Sequence, residues 1–417
     1  MEYRKRLSDI ELQRKLEASG AVLIRGAKAC GKTESAKQFA RSVIYLDRDE
    51  QFQLLFDTAP KRLLLGETPR LIDEWQVIPK LWNQVRHEVD DRKKTAQFIL
   101  TGSANPEENV NMHSGAGRFT IVDMRTMSWQ ELGMSDATIK LADLFQRFPV
   151  EVQNERTELE LIIEQICKGG FPSLMDSKVE QALEVNRAYV ELLAEVDMSR
   201  VSQNRRDPMK VRSLLKSLAR NTSTMVDILV LERDIKAHES IGLSRPTIYD
   251  YLDALNRLMM LEDQPAWNIH IRSSHTLRNS PKRHFTDVSL AVAALGINQQ
   301  NLLNNLQFAG FLFESMVIHD LRVYSQANDA KVYHYRDSSG LEVDGIVQKY
   351  NGDWCAFEIK LGSGQIEEAA ANLLKLARLV TSDKCPAPKS LNIITGTGMG
   401  YTRKDGVNVI SFASLGA

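Results

Sequence analysis

The chain has 417 residues, 43% of them hydrophobic and 26% charged, which suits roughly two to four folded domains and excludes a disordered polymer. A formal net charge of −1 excludes a global attraction for nucleic acid or anionic membrane, so any such binding must come from a local basic surface. No apolar run is long enough to span a bilayer, Met1 to Arg6 leads into a charged helix rather than a signal segment, and Cys30, Cys167, Cys355 and Cys385 lack paired metal spacing, so the expectation is a cytoplasmic protein with reduced thiols, no membrane partner and no zinc site.

Ser8-Asp9-Ile10-Glu11 has the pattern of a capping box opening a short helix that closes near Gly20. The apolar run Ala21-Val22-Leu23-Ile24 then predicts a buried strand, and "RGAKACGKTE" follows it. Gly26-Ala27-Lys28-Ala29-Cys30-Gly31-Lys32-Thr33 has the spacing of a phosphate-binding loop. Its two glycines let successive N–H groups turn onto a β-phosphate, Lys32 would contact the β- and γ-phosphates, and the Thr33 hydroxyl would coordinate Mg²⁺. A helix over residues 33–40, with Glu34 in its first turn, would aim its positive end at the anion. Cys30 reads as a tolerated small residue.

Residues 43–47 predict a second strand, and strands alternating with helices imply a parallel sheet covered by helices. Another short strand ends in Asp73-Glu74. Behind a phosphate loop, Asp73 is placed to hold the Mg²⁺ shell and Glu74 to polarise the attacking water. Residues 96–103 predict a strand ending in a small polar cluster, from which Thr101 or Ser103 would sense the γ-phosphate. The segment His113-Ser114-Gly115-Ala116-Gly117-Arg118 ends in an arginine that would either stabilise transition-state charge, in its own subunit or in a neighbour's within a homo-oligomer, or pair structurally with a carboxylate.

"GAKACGKT", "LIDEWQVIPKLWNQVR", "FILTGSA", "HSGAGR" and "KGGFP" together resemble the ATPase part of a prokaryotic family of AAA+-like proteins, Trp75 and Gln76 being the most distinctive positions. The resemblance implies ATP as the nucleotide, an additional-strand P-loop fold over residues 1–154, a helical lid over 155–205, and a C-terminal region of the PD-(D/E)XK nuclease-like type over 291–417. The fold class expected is therefore α/β, with an N-terminal P-loop sheet and lid, a middle module, and a C-terminal α/β domain.

Residues 206–290 read as a winged helix-turn-helix module. Helical spacing in 209–219 and 231–238 precedes a turn at Gly242 and a helix capped by Ser244, with Ile248, Tyr251, Leu252 and Leu255 on one face. Apolar pieces near Trp267 and Phe285 would form the wing. Asp250 and Asp253 beside Arg245 and Arg257 oppose tight major-groove binding, so Arg272, Arg278, Lys282 and Arg283 are the better candidates for a phosphate contact. The module serves either as an interdomain scaffold and protein-binding element or as a DNA contact.

"YHYRDSSGLEVDGIVQ" predicts a hairpin ending in Glu342-Val343-Asp344, and "WCAFEIKLG" a strand that carries Glu358 and Lys360 on one face. With Glu314 on an upstream helix, Asp344 and Glu358 form a candidate Mg²⁺ ligand set, and Lys360 would stand beside the attacking water. Expected functions are an ATPase that gates a Mg²⁺-dependent, DNA-directed nuclease-like domain, or a signalling, scaffolding or protein-remodelling ATPase whose carboxylates no longer cut.

Overall fold

In the computed structural model, which describes residues 3–102, 115–146, 149–151, 157–200, 206–268, 280–380 and 385–417, the N-terminal third forms a five-stranded parallel sheet. Helix α1 (Ser8–Ala18) leads into β1 (Ala21–Arg25) and α2 (Lys32–Lys37); then come β2 (Ser42–Tyr45), α3 (Gln51–Thr58), β3 (Arg70–Asp73), α4 (Leu81–Arg92), β4 (Phe98–Gly102) and β5 (Phe119–Asp123). Their spatial order is β2-β3-β4-β1-β5, so β4 lies between the strand that enters the loop and the strand that ends in Asp73. Thr101 thereby stands in register with both Asp73 and Ile24. Ala21 to Ile24, Leu71, Ile72 and Phe98 to Leu100 are all buried, each large side chain contributing about 1.5–3 kcal/mol.

Two local expectations change. The α2 helix ends at Lys37 rather than residue 40, and the Ser8 capping box does not form, because Asp9 instead accepts the backbone N–H of Arg6 at 2.9 Å and the hydroxyl of Tyr3 at 2.7 Å. Those contacts fold residues 3–6 back onto the loop region.

After α5 (Trp129–Leu132), β6 (Ile139–Lys140) and α6 (Leu141–Leu144) comes a helical region: α7 (Leu159–Lys168), α8 (Val179–Leu192), a π-helical turn Leu193–Asp197, α9 (Met198–Arg200), α10 (Pro208–Arg220), β7 (Thr224–Met225), α11 (Ile228–His238), α12 (Arg245–Arg257), β8 (Lys282–Arg283), α13 (Val288–Leu295) and α14 (Gln299–Leu303). The Ser244 hydroxyl does accept from Thr247 N–H, and Ile248, Tyr251, Leu252 and Leu255 do form the buried face of α12. The hydrophobic core runs without a break from α7 through α13 into the last third.

The last third opens with α15 (Leu306–Ala327) and β9 (Ala330–Arg336), β10 (Glu342–Lys349) and β11 (Trp354–Lys360), an antiparallel run. Helix α16 (Ile366–Val380) then crosses to β12 (Leu391–Thr395), parallel to β11, and β13 (Tyr401–Thr402) and β14 (Asn408–Ser411) complete a six-stranded sheet. The final strand β15 (Leu415–Gly416) pairs with β6 instead. Among the described residues, no helix is long and apolar enough to cross a membrane.

Candidate functional site

The phosphate loop leaves β1 at its C-terminal end. A Cβ at Gly26 would lie 2.1 Å from the carbonyl oxygen of Met124, so only glycine lets the loop pass the segment after β5; Gly31 has φ +104°, a conformation other residues rarely adopt. The Lys32 ammonium is buried and donates to the carbonyls of Gly26 at 2.9 Å and Ala27 at 2.8 Å. Those two bonds hold the ammonium inside the loop's curve, where a phosphate would replace the carbonyls as acceptor.

Asp73 is the hub. Its Oδ1 accepts the hydroxyl of Thr33 at 2.8 Å and that of Thr101, which the inserted strand brings alongside. Thr33 and Asp73 therefore stand together as oxygen donors of the kind Mg²⁺ takes, and the residues present fit that ion. Glu74 adopts φ +53°, leaving the strand direction, and borders the loop cavity; burial pushes its carboxyl up, while Gln76 donates to it. Gly102 makes room for this turn, since a Cβ there would lie 2.4 Å from Gln76 Oε1 and 2.9 Å from Trp75 Nε1. Ser103 lies outside the described residues.

A cavity of about 610 Å³ opens over the loop. Lys28, Ala29, Gly31, Lys32, Thr33, Glu34 and Glu74 line one side. Residues that the sequence did not single out for this role line the rest: Tyr3, Arg4 and Arg6 from the N-terminal segment, and Met127, Pro172 and Met175. Arg6 is buried, donates to the Cys30 carbonyl at 2.9 Å and pairs with Glu131 at 3.0 Å, bracing the loop from behind. Cys30 is buried against Met124, as a small residue would be. Lys28 reaches the helical region, its ammonium 2.5 Å from Asp197 Oδ1. The Gly169-Gly170 pair of "KGGFP" seats that region: Gly170 packs on the Met127 backbone and Asp287 caps it, the Gly170 N–H donating to Asp287 Oδ2 at 2.8 Å.

Arg118 is not part of this cavity. Its carbonyl accepts from Ala21 N–H, which puts it at the entrance of β1, the opposite end of the sheet from the loop, about 15 Å away by strand rise. Its guanidinium instead pairs with Asp90 on α4 at 2.8 Å. Of the two readings of this arginine, the structural pairing is the one observed, and its own phosphate loop is out of reach.

A second cluster lies in the last third. Glu314 from α15, Asp344 from β10 and Glu358 from β11 converge as expected, and all three are buried. Lys360 pairs with Glu358 at 2.7 Å and with Asp344 at 3.5 Å, and the Ile359 N–H donates to Asp344 Oδ2 at 3.0 Å. The centre of the cluster is occupied by a residue that the sequence suggested for a different task. Lys282 of β8 is buried, with its ammonium 2.9 Å from Glu314, 2.8 Å from Glu342 and 3.2 Å from Asp344. It therefore cannot serve as a surface phosphate contact. Arg283 is also engaged, with Asp263 at 2.9 Å, while Arg272 and Arg278 lie outside the described residues. Burial, with Asp344 close by, raises the Glu314 and Glu358 carboxyls to about 8; Asp344 is buried too, but Lys282 and Lys360 hold it well below the usual carboxylate range. Among the described residues, no group of three or more His, Cys, Asp or Glu side chains is disposed to hold a metal ion, and here the carboxylates of Glu314 and Asp344 are joined by an ammonium.

Comparison with known proteins bears on the N-terminal sheet first. Residues 18–133 match an AAA domain, so this part of the chain is similar to P-loop AAA ATPase domains. Residues 159–301 match a domain of unknown function (DUF8612), and residues 309–415 match a second (DUF4143). The chain is 25% identical over 377 residues to the uncharacterized proteins Rv2008c of Mycobacterium tuberculosis and Mb2031c of Mycobacterium bovis, covering 88% of this chain and 77% of each relative. Among solved structures, the Walker-type ATPase PABY2304 of Pyrococcus abyssi is similar over 69% of this chain and 94% of its own, at 13% identity and a TM-score of 0.43. The Aeropyrum pernix ORC1 protein, in complex with DNA, is similar over 73% and 95%, at 11% identity and a TM-score of 0.30.

Proposed function

We propose that the chain binds ATP with Mg²⁺ and hydrolyses it, and that the nucleotide state is passed to the helical region and the C-terminal sheet. The observation that carries this reading is the Asp73 carboxylate accepting both Thr33 and Thr101 beside a cavity that Lys32 and Glu74 also border. In this reading the amides of residues 26–33 surround the phosphates, and Lys32 exchanges its two loop carbonyls for β- and γ-oxygens. Thr33 and Asp73 hold Mg²⁺, which supplies charge neutralisation when bound. Glu74 orients the water, and Thr101 senses the γ-phosphate through its bond to Asp73.

The proposed route outward is the segment after β5, which backs the loop at Met124. Arg125 grips Glu262 at 2.5 Å and Gln326 at 2.9 Å, Thr126 meets His319 at 3.1 Å, and the Trp129 N–H donates to Asp320 at 2.8 Å. The last three partners lie on α15, the helix that also carries Glu314. Residues 1–154 are then the ATPase core, 155–205 the lid, 206–290 a winged module and 291–417 the nuclease-like domain. A scaffold or protein-binding role for the middle module is supported over a DNA contact, because Lys282, Arg283 and Arg245 are all paired with carboxylates. ATP turnover measured alone and with single- and double-stranded DNA tests this; strong stimulation by DNA would reverse that preference, and no turnover under any condition would remove the ATPase reading.

A second reading adds metal-dependent nucleic-acid cleavage by the C-terminal domain. It is supported by the element order α15-β9-β10-β11-α16-β12 and by the meeting of Glu314, Asp344, Glu358 and Lys360. Cleavage by the wild type with Mg²⁺ or Mn²⁺, absent in Asp344→Ala while ATP turnover persists, would establish it. Equal behaviour of the two proteins would leave the carboxylates to structure.

A further inference from the structure

Lys282 sits where a cation among these carboxylates would sit, and the fold places it there firmly. Its backbone N–H and carbonyl both pair with Gln264, at 3.0 and 2.8 Å, and the Gln264 side chain in turn donates to the carbonyls of Tyr333 and Asp344 at 2.9 and 2.8 Å. The side chain is 2% exposed. An ammonium has three N–H donors, and here three separate carboxylates, Glu314, Glu342 and Asp344, lie within reach of them. Glu342 had no metal role in the sequence pattern; it is the acceptor that completes this set.

We propose that the cluster is a divalent-cation site that the chain fills with its own lysine, so that a hard, oxygen-seeking cation such as Mg²⁺ or Mn²⁺ enters only when Lys282 is withdrawn. Buried carboxyls at this spacing remain ionised together only with positive charge among them. A lysine supplies one unit and spreads the oxygens to 2.8–3.2 Å from its nitrogen, whereas Mg²⁺ would draw the same oxygens in to about 2.0–2.1 Å. Adding two further positive charges beside a buried ammonium is repulsive, so the two cations exclude each other. The strand that delivers Lys282 is also tied to the phosphate-loop side: the Glu262 N–H donates to His284 at 2.9 Å, and Glu262 is the residue gripped by Arg125. The proposal rests on the second reading above, that the carboxylates form a metal site.

The test uses Mn²⁺ alone as probe on the full, nucleotide-free chain, with binding followed by electron paramagnetic resonance and by the shift in thermal midpoint. Wild type and Asp344→Asn should bind Mn²⁺ alike, because the cluster admits none. Lys282→Ala should gain a site at least tenfold tighter than any in the wild type, its midpoint should rise with Mn²⁺, and Asp344→Asn in that background should abolish both effects. Lys282→Arg, which keeps the charge, should gain nothing. Asp344-dependent Mn²⁺ binding by the wild type would overturn the lysine lock and leave the metal-site reading standing. A folded Lys282→Ala protein with no gained site would remove the metal-site reading and the lock together. Should Lys282→Ala fail to fold, Lys282→Met replaces it and is read by the same two outcomes.

Discussion

Lys28 of the phosphate loop and Asp197 of the π-helical turn are joined at 2.5 Å, so the loop is held from the helical side before any phosphate arrives. In the proposed site a triphosphate would compete with Asp197 for the same ammonium. An ion pair whose ammonium is exposed, as that of Lys28 is, is worth about 0.2–1 kcal/mol. Asp197→Asn should therefore tighten ATP binding by up to about fivefold, read by calorimetric titration, and weaker binding would assign the pair to preorganising the loop.

Lys32→Ala should abolish hydrolysis and strongly weaken ATP binding, because it removes the charge that the loop curls around. Unchanged nucleotide affinity would sink the site.

Glu74→Gln should keep ATP affinity and stop turnover. Burial raises the Glu74 carboxyl, and the residue works ionised, so turnover in the wild type should rise with pH through a value above the ordinary 4.5. A pH–rate profile with no acid limb above that ordinary range would reassign Glu74 to structure.

Arg118→Ala should leave ATP affinity and turnover of the isolated chain within about twofold of wild type, since its partner is Asp90 at the far end of the sheet. A loss of turnover that mixing with Glu74→Gln protein restores would instead place Arg118 in a neighbouring subunit's site.

Burial pushes the Glu262 carboxyl up, but Arg125 and Arg322 more than reverse this and hold it well below the usual range. A depressed folded value contributes stability that is full above the unfolded value, about 4.3, and is lost as pH falls through the folded one. Glu262→Gln should thus cost about 1.5–3 kcal/mol at pH 7, and its deficit should shrink below pH of about 4. Urea unfolding at the two pH values checks this; a deficit independent of pH would mean lost packing.

What could be read from the sequence follows the range of the interactions. The loop, Asp73 and Thr101 were legible because strand, glycine spacing and terminal acid are local patterns, and the register of adjacent parallel strands does the rest. The convergence of Glu314, Asp344 and Glu358 was legible because helix, hairpin and strand each carry one acid at the right period. Arg118 immediately precedes β5, and in a parallel sheet the start of a strand lies at the end away from the loop, so the structural pairing within its own chain was open to reading from the strand order. Lys282 looks like a surface cation in the sequence because its three acids come from α15 and β10, far along the chain, and no neighbour in sequence marks it as internal. Arg6 was hidden in the same way, in a basic run that resembles an ordinary solvated leader.

The pairing of β15 with β6 sets an order of events during synthesis. Leu415 pairs beside Ile139, and the Ala417 N–H reaches Gln130 at 2.9 Å, so the segment just after the nucleotide sheet waits for its partner until residues 415–417 have been made. The nucleotide sheet, whose strands all lie before residue 124, can assemble early, whereas the edge at β6 stays open and available to other chains until residue 415 emerges. Chains halted before residue 415 should therefore bind nucleotide yet be caught by chaperones or aggregate, and ATP binding by a fragment would be a poor guide to whether the molecule has finished folding.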